Sequence, residues 1–390
     1  MITPIHTLAD LRADLPITRR CIYLQTGTYA PVPTSTQDYL TALLREENEV
    51  LLAGGSKTGD SDHVAEIEGA RRRLATLLGV GADEVAWCYN TTSATRLAVQ
   101  SFSWRPGDKI ALTDVEHVST VKLVEGMVQQ LGVQVTVIPS GDGPTYTPDD
   151  FLEQLAQRLT PDHRLLLLCH VANTDGRRLP VAEAVRIARE RGVKTLIDGA
   201  QAVGVFPVDV DAIDADFYSG SMHKWLMGPA GVGFLVVKRT QLPAYNPLWL
   251  PRAEGDGLTA GALSEVGTPN HVLRMGAAYS LATLQQIGLP QLEAQMQRLT
   301  SQLRTGLHAI KEIRNAGPDA WALSSSITTL QLANGDLTQC QQLVTLLRER
   351  YHIITKVRPE VCGVRISLAA FNTVEEVAQV LVALNEVVSR

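Results

Sequence analysis

From about residue 60 to residue 240, short and wholly apolar runs alternate with stretches whose apolar residues recur at helical spacing. Few folds are open to a chain patterned in this way. Strands are expected at 85–89, 109–112, 133–138, 165–171, 194–198 and 231–237, with a further short one at 217–219. Runs such as Leu165-Leu166-Leu167-Leu168 show no polar alternation. Both faces of such strands must be covered, as in a parallel sheet with helices on each side. Val64, Ile67, Ala70, Leu74, Leu77 and Leu78 form a helical stripe ended by Gly79, and Val181, Ala184, Val185 and Ala188 form another ended by Gly192. The pattern implies an α/β domain on a mostly parallel, seven-stranded sheet.

After about residue 250 the pattern changes. Residues 251–267 read as a loop, and 272–313 are helical in pattern with a break at Gly288-Leu289-Pro290. The tail gives a strand (326–332), a helix (338–351), two short strands (353–357 and 364–369) and a last helix from Thr373. The chain is therefore expected to divide into an N-terminal segment (1–20), a large α/β domain (21–270) and a smaller α+β domain (271–390) that opens with a connecting helix.

Composition narrows the partners. A net charge of −6 over 390 residues gives no basic surface for nucleic acid. No run approaches the roughly 20 apolar residues of a membrane span, and the first ten residues lack a cationic end followed by an apolar stretch. The five cysteines (Cys21, Cys88, Cys169, Cys340, Cys362) are scattered, without the paired spacing of a metal or redox site. The reading is a protein of the reducing cytoplasm, with no metal and a small-molecule ligand.

The candidate chemistry lies at strand ends, where open α/β sheets bind ligands. Asp198 closes the strand 194–198 in Asp198-Gly199-Ala200-Gln201, and Lys224 follows 217–219 in Ser221-Met222-His223-Lys224. An isolated aspartate there could cap a helix, and an isolated lysine could lie on the surface. Together they suit pyridoxal phosphate (PLP), which needs an amine to hold its aldehyde and a carboxylate to keep its ring nitrogen protonated. Burial beside Phe217-Tyr218 would lower the Lys224 pKa and free its amine. Asn90-Thr91-Thr92-Ser93 opens a helix after the first strand, a natural anion site. No Gly-x-Gly-x-x-Gly follows a strand, and no phosphate-loop motif of nucleoside triphosphate enzymes is present. His117 and Asn173 stand after two further strands, where each could meet a cofactor or only fix local structure. Arg365 is a charge within the apolar run Val364-Arg365-Ile366, and requires either an internal carboxylate or that of a substrate.

These residues resemble the class V aminotransferase family of PLP enzymes, which includes cysteine desulfurases, selenocysteine lyases, carbon–sulfur lyases and isopenicillin-N-epimerase-like proteins. The resemblance runs from Tyr23-Leu24-Gln25-Thr26-Gly27 to Asn372, most specifically in Asp198-Gly199-Ala200-Gln201, Ser221-Met222-His223-Lys224 and Gly267-Thr268-Pro269-Asn270. It implies fold type I, with Lys224 bound to the cofactor, Asp198 on the ring nitrogen and His117 stacked on the ring. Asn173 and Gln201 would bond the phenolic oxygen. Thr91, Thr92, Ser221 and His223 would hold the phosphate, with Thr268 reaching the phosphate of a neighbouring subunit in a homodimer. Arg365 would take the substrate α-carboxylate, near Thr26 and Gly27. Cysteine desulfurases carry a nucleophilic cysteine on a loop well upstream of that arginine. Here the run Thr355–Gly363 leaves almost no room for it, and Cys362 lies only three residues before Arg365, on the opposite face if both belong to one strand. A carbon–sulfur lyase without a catalytic cysteine is the favoured expectation. An aminotransferase, an epimerase and a non-catalytic binding module remain as alternatives.

Overall fold

Fully apolar runs become the centre of a sheet. A computed structural model describes residues 5–52, 61–248, 257–265, 267–333 and 335–388. The first part of the chain supplies α1 (Leu8–Ala13), β1 (Ile22–Tyr23), α2 (Thr34–Leu52) and α3 (Ser61–Leu78). Then β2 (Val85–Cys88), α4 (Thr91–Gln100), β3 (Lys109–Thr113), α5 (Val118–Leu131), β4 (Gln134–Ile138), α6 (Pro148–Arg158) and β5 (His163–Cys169) follow in alternation. The alternation continues through α7 (Val181–Glu190), β6 (Lys194–Asp198), α8 (Val210–Ile213), β7 (Phe217–Ser221) and β8 (Gly233–Val237). The seven strands order as β2-β8-β7-β6-β5-β3-β4, and only β8 runs against its neighbours. The expected parallel sheet is thus present. Leu165 to Leu168 are wholly buried, with alternate side chains packed into separate cores on the two faces. The expected helical stripes lie on α3 and α7; Val64 lies outside the described side chains.

Beyond the sheet come α9 (Ala260–Ser264), α10 (His271–Ile287), α11 (Leu289–Leu307), β9 (Ile313–Asn315), β10 (Ile327–Leu332), α12 (Leu337–Tyr351), β11 (Ile353–Ile354), β12 (Lys356–Arg358), β13 (Gly363–Ser367) and α13 (Val374–Val388). Of the expected loop at 251–267, residues 251–256 and 266 lie outside the described residues, and the rest is not all loop: Thr259 caps the short helix α9, its side chain accepting from the Ala262 backbone N–H. The break between α10 and α11 sits at Gly288, where φ is 102° and Pro290 opens the next helix. Four strands pair antiparallel in the order β12-β13-β10-β9. Strand β9 was not expected: its three residues continue an apolar spacing that reads as helix, and cross-strand pairing with β10 overrides it. The N-terminal β1 pairs in parallel with β11, so Ile22 and Leu24 are buried in the core of this C-terminal layer.

Register across the large sheet aligns its functional end. Cys169 of β5 pairs with Asp198 of β6, which pairs with Ser219 of β7. Gly199 then turns the chain away against the Tyr218 ring, and a Cβ at that position would lie 2.1 Å from Tyr218 Cε1. The ring is fully buried and its hydroxyl is 3.0 Å from His170 Nδ1, so it has no room to yield. Gly199→Ala is expected to destabilise the fold by about 2 kcal/mol through overpacking. A lowered thermal midpoint would check this; a midpoint equal to wild type would mean that the ring relaxes freely.

Candidate active site

The C-terminal strand ends, the start of α4 and the face of the small sheet enclose a cavity of about 260 Å³. Asp198 and Lys224 both line it. Asp198 Oδ1 accepts from the Ala200 backbone N–H at 2.9 Å. Burial pushes its pKa up, while the positive charge of Lys224 and this hydrogen bond oppose the shift. Lys224 is affected in the opposite sense. Burial pulls its pKa down to about 8, Asp198 raises it, and the cations Arg365, Arg358 and Lys356 lower it further. Among the described residues Lys224 has no ion-pair partner within 4 Å, so its amine is held by field rather than by contact.

The start of α4 forms the second wall. Asn90 caps the helix, its side chain accepting from the Ser93 backbone N–H at 2.9 Å. Thr91 N–H donates to Ser221 Oγ at 2.9 Å, and the Thr91 and Ser221 hydroxyls are 2.7 Å apart. Thr92 donates to Ser119 Oγ at 3.0 Å. Asn90, Thr91, Thr92, Ser119, Ser221 and His223 all face the cavity. A helix start bearing hydroxyls and N–H groups is suited to an anion. The Nδ1 atom of His223 is buried with no hydrogen-bond partner among the described residues.

His117 serves two purposes. It caps α5, its Nδ1 accepting from the Ser119 backbone N–H at 3.2 Å, and its ring lines the cavity. That bond assigns the ring proton to Nε2. Burial, then the charges of Lys224, Arg358 and Arg365, lower its pKa to about 4, so the ring is neutral at physiological pH. Gln201 donates from Nε2 to the Gly27 carbonyl at 2.8 Å and accepts from Trp225 Nε1 at 2.9 Å, which leaves one amide hydrogen free. Asn173 accepts from Arg358 through its side-chain oxygen and from Arg365 Nη1 through its carbonyl at 3.0 Å.

Arg365 is 2% exposed and has no carboxylate partner among the described residues. Its Nη2 donates to Thr28 Oγ1, and its Nε is buried without a hydrogen-bond partner among the described residues. The internal-carboxylate alternative for Arg365 is therefore not realised. Gly27 and Thr28 line the cavity, whereas Thr26 is fully buried outside its lining. Thr268 is exposed and lies outside the lining of its own chain's cavity.

Sequence reasoning did not single out Thr28 or Ser119 as lining residues, nor Lys356, Arg358 or the neighbouring Glu116. Charges at alternate positions in Lys356-Val357-Arg358 were the available signal for two of them. Cys362 also differs from expectation. It precedes β13 in a left-handed conformation (φ 45°), so strand alternation does not set its direction; its thiol donates to the Gly335 carbonyl at 3.8 Å.

The family model described as aminotransferase class-V matches residues 22–380, and the chain belongs to that family of enzymes. It is 28% identical to a probable cysteine desulfurase of Vibrio cholerae serotype O1, over 98% of each protein. A solved cysteine desulfurase from Escherichia coli is 26% identical and aligns with a TM-score of 0.82, covering 98% of each chain. A cystine C–S lyase solved with its product cysteine persulfide is 23% identical and has a TM-score of 0.84, covering 95% of this chain and 99% of that one.

The lowered Lys224 pKa gives a direct expectation. In the cofactor-free protein, labelling of Lys224 by an amine-directed reagent should rise as pH passes about 8, because a depressed pKa frees the amine at lower pH. Asp198→Asn removes the nearby negative charge that raises this pKa, and should move the midpoint lower still. Peptide-resolved mass spectrometry across pH reads both. A midpoint above about 10, the ordinary lysine range, would contradict the assigned environment.

Proposed function

We propose that the protein is a cytoplasmic, homodimeric PLP enzyme that eliminates sulfur from a cysteine- or cystine-type amino acid without using a thiol of its own. The observation that carries the reading is the buried pair Asp198 and Lys224 on one cavity with Arg365, an arginine without a carboxylate partner among the described residues. The residues fit the cofactor chemically: an amine with a depressed pKa, a buried carboxylate, a neutral imidazole and a hydroxyl-lined helix start share the cavity. When bound, PLP supplies an electron sink for bond cleavage at the substrate's Cα and Cβ.

In this reading Lys224 would hold the cofactor's aldehyde and would serve as the base for the Cα proton. Asp198 would keep the ring nitrogen protonated. The neutral His117 would face the ring without adding charge, and Asn173 and Gln201 would offer amide hydrogens to the phenolic oxygen. Thr91, Thr92, Ser221 and His223 would hold the phosphate, helped by the partner subunit's Thr268. Arg365 would pair with the α-carboxylate beside Gly27 and Thr28, which line the cavity where Thr26 does not, and burial would strengthen the charge-assisted bond.

The absence of a travelling thiol is supported by where the cysteines lie. Of the five, only Cys169 lines the cavity. It sits at a strand end with its thiol 3.7 Å from the Val115 carbonyl, and burial raises its pKa well above the usual range. Cys362 is turned towards Gly335. Names of relatives favour sulfur chemistry: cysteine desulfurases and a cystine C–S lyase.

Two outcomes are expected. Borohydride reduction of the holoenzyme should place the pyridoxyl group on Lys224 by peptide mapping, and Lys224→Ala should abolish multiple turnover; label on another lysine would remove the central assignment. Cys362→Ala should retain nearly full sulfur release from cystine, with pyruvate as co-product. Loss of sulfur release with folding and cofactor intact would restore a desulfurase with an enzyme thiol. Keto acid without sulfur release, or a D-amino acid, would identify an aminotransferase or an epimerase.

A further inference from the structure

The amide of Gln201 is held at both of its ends. Its Nε2 donates to the Gly27 carbonyl at 2.8 Å, and its Oε1 accepts from the indole Nε1–H of Trp225 at 2.9 Å. Gln201 and Trp225 are each 4% exposed, so neither bond is exchanged with bulk water. Gln201 lines the cavity, whereas Trp225 is outside its lining. Trp225 directly follows Lys224, and its ring reaches across to the turn after Asp198. Its own place is fixed by Gly204 (φ 93°), where an added Cβ would lie 3.0 Å from both the carbonyl carbon and the Cβ of Trp225. An amide turned over exchanges its oxygen for its nitrogen at almost the same shape. Turned over here, it would set its NH2 against the indole N–H and its oxygen against the Gly27 carbonyl. Indole is a donor with no acceptor, so it bonds the oxygen end alone. Burial makes the reversed arrangement costly, because two bonds are lost and no water replaces them. The second amide hydrogen is left for the cavity.

We propose that Trp225 is a positioning residue for the cofactor: its N–H holds the Gln201 amide with a hydrogen, not the oxygen, towards the cofactor's phenolic oxygen. The inference rests on the reading of Gln201 given above and supplies what fixes the direction of its amide. An N–H facing that oxygen stabilises negative charge on it, and a carbonyl in the same place would repel it. The same indole ties the turn that carries Lys224 to the strand end that carries Asp198. A Trp225 that served only as packing would fill volume and leave the direction of the amide to the Gly27 carbonyl.

The test reads the cofactor's absorbance in the holoenzyme without substrate, so its outcome does not depend on which reaction the enzyme performs. The phenolic oxygen shares a proton with the nitrogen that joins the cofactor to Lys224. A donor to that oxygen weakens its hold on the shared proton and lowers the pH midpoint of the visible band. Trp225→Phe keeps apolar bulk and removes the N–H, and should raise the midpoint by about 0.5–1 pH unit, the size of one neutral hydrogen bond. Benzothienylalanine placed at position 225 keeps the bicyclic shape without the donor. It should give the same shift, and it carries the test if the phenylalanine variant fails to fold. Gln201→Ala should raise the midpoint at least as far, and Trp225→Phe added to it should raise it no further, because the indole acts through the amide. Additive shifts in the double variant would overturn the positioning role. So would an unchanged midpoint on loss of the indole N–H when Gln201→Ala shifts it, and the reading of Gln201 would then stand. An unchanged midpoint in Gln201→Ala itself would remove both.

Discussion

Everything at the site depends on one electrostatic arrangement: a buried carboxylate and a buried amine facing the same cavity without touching. Asp198 alone at the end of β6 would tend to protonate, and Lys224 alone beyond β7 would tend to lose its proton. Each opposes the other's shift through the field between them. The result is an amine near its titration point at neutral pH beside an acid whose charge is conditional on a cation. A direct salt bridge would have fixed both groups and removed the reactivity of the amine. The separation is set by backbone, because β6 and β7 are held in register from Leu196↔Phe217 to Asp198↔Ser219.

The cavity is closed by the N-terminal strand region rather than by the sheet alone. Residues 22–30 run between the two layers, with β1 paired to β11 and Gln25 bridged to Ser367. The Gly27 carbonyl then receives Gln201, the Thr28 hydroxyl receives Arg365, and the Ala30 N–H donates to the His223 carbonyl at 2.8 Å. One short segment therefore contacts the end of β6, the start of the lysine turn and β13. Movement of the C-terminal layer would reach Gln201 and His223 through it.

The parallel sheet was legible because burial on both faces leaves an unambiguous mark: Leu165 to Leu168 admit no solvent face. Asp198 and Lys224 were legible because strand ends are where such a sheet can place a ligand. What the sequence left open was long-range pairing. Nothing local shows that Lys356 stands opposite Arg365, since that depends on a hairpin register fixed by the turn around Pro359–Val361. The same turn redirects Cys362, which alternation alone assigned to the wrong geometry. Nor could the sequence show that His117 is both helix cap and cavity wall, as its Nδ1 serves Ser119 while its ring remains available. Strand β9 was hidden for a different reason. Three residues are too few to reveal a period, and partners supply the preference that the segment lacks.

Glu116 shows how the fold protects the charge on Asp198. It precedes His117, and its Oε1 accepts from the Thr113 hydroxyl at 2.5 Å and from the Cys169 backbone N–H at 2.9 Å. Its Oε2 is buried with no hydrogen-bond partner among the described residues. Burial, with a contribution from the charge of Asp198, raises its pKa to about 8. At neutral pH Glu116 is therefore mostly protonated and adds little negative charge beside Asp198. Were Glu116 ionised, like-charge repulsion would add to the burial that already pushes Asp198 towards its neutral form. A neutral Glu116 can instead tie β3 to β5 by hydrogen bonding, at the level where β5 meets Asp198. The sheet end thus holds its strands together with a polar group that leaves the field between Asp198 and Lys224 nearly undisturbed.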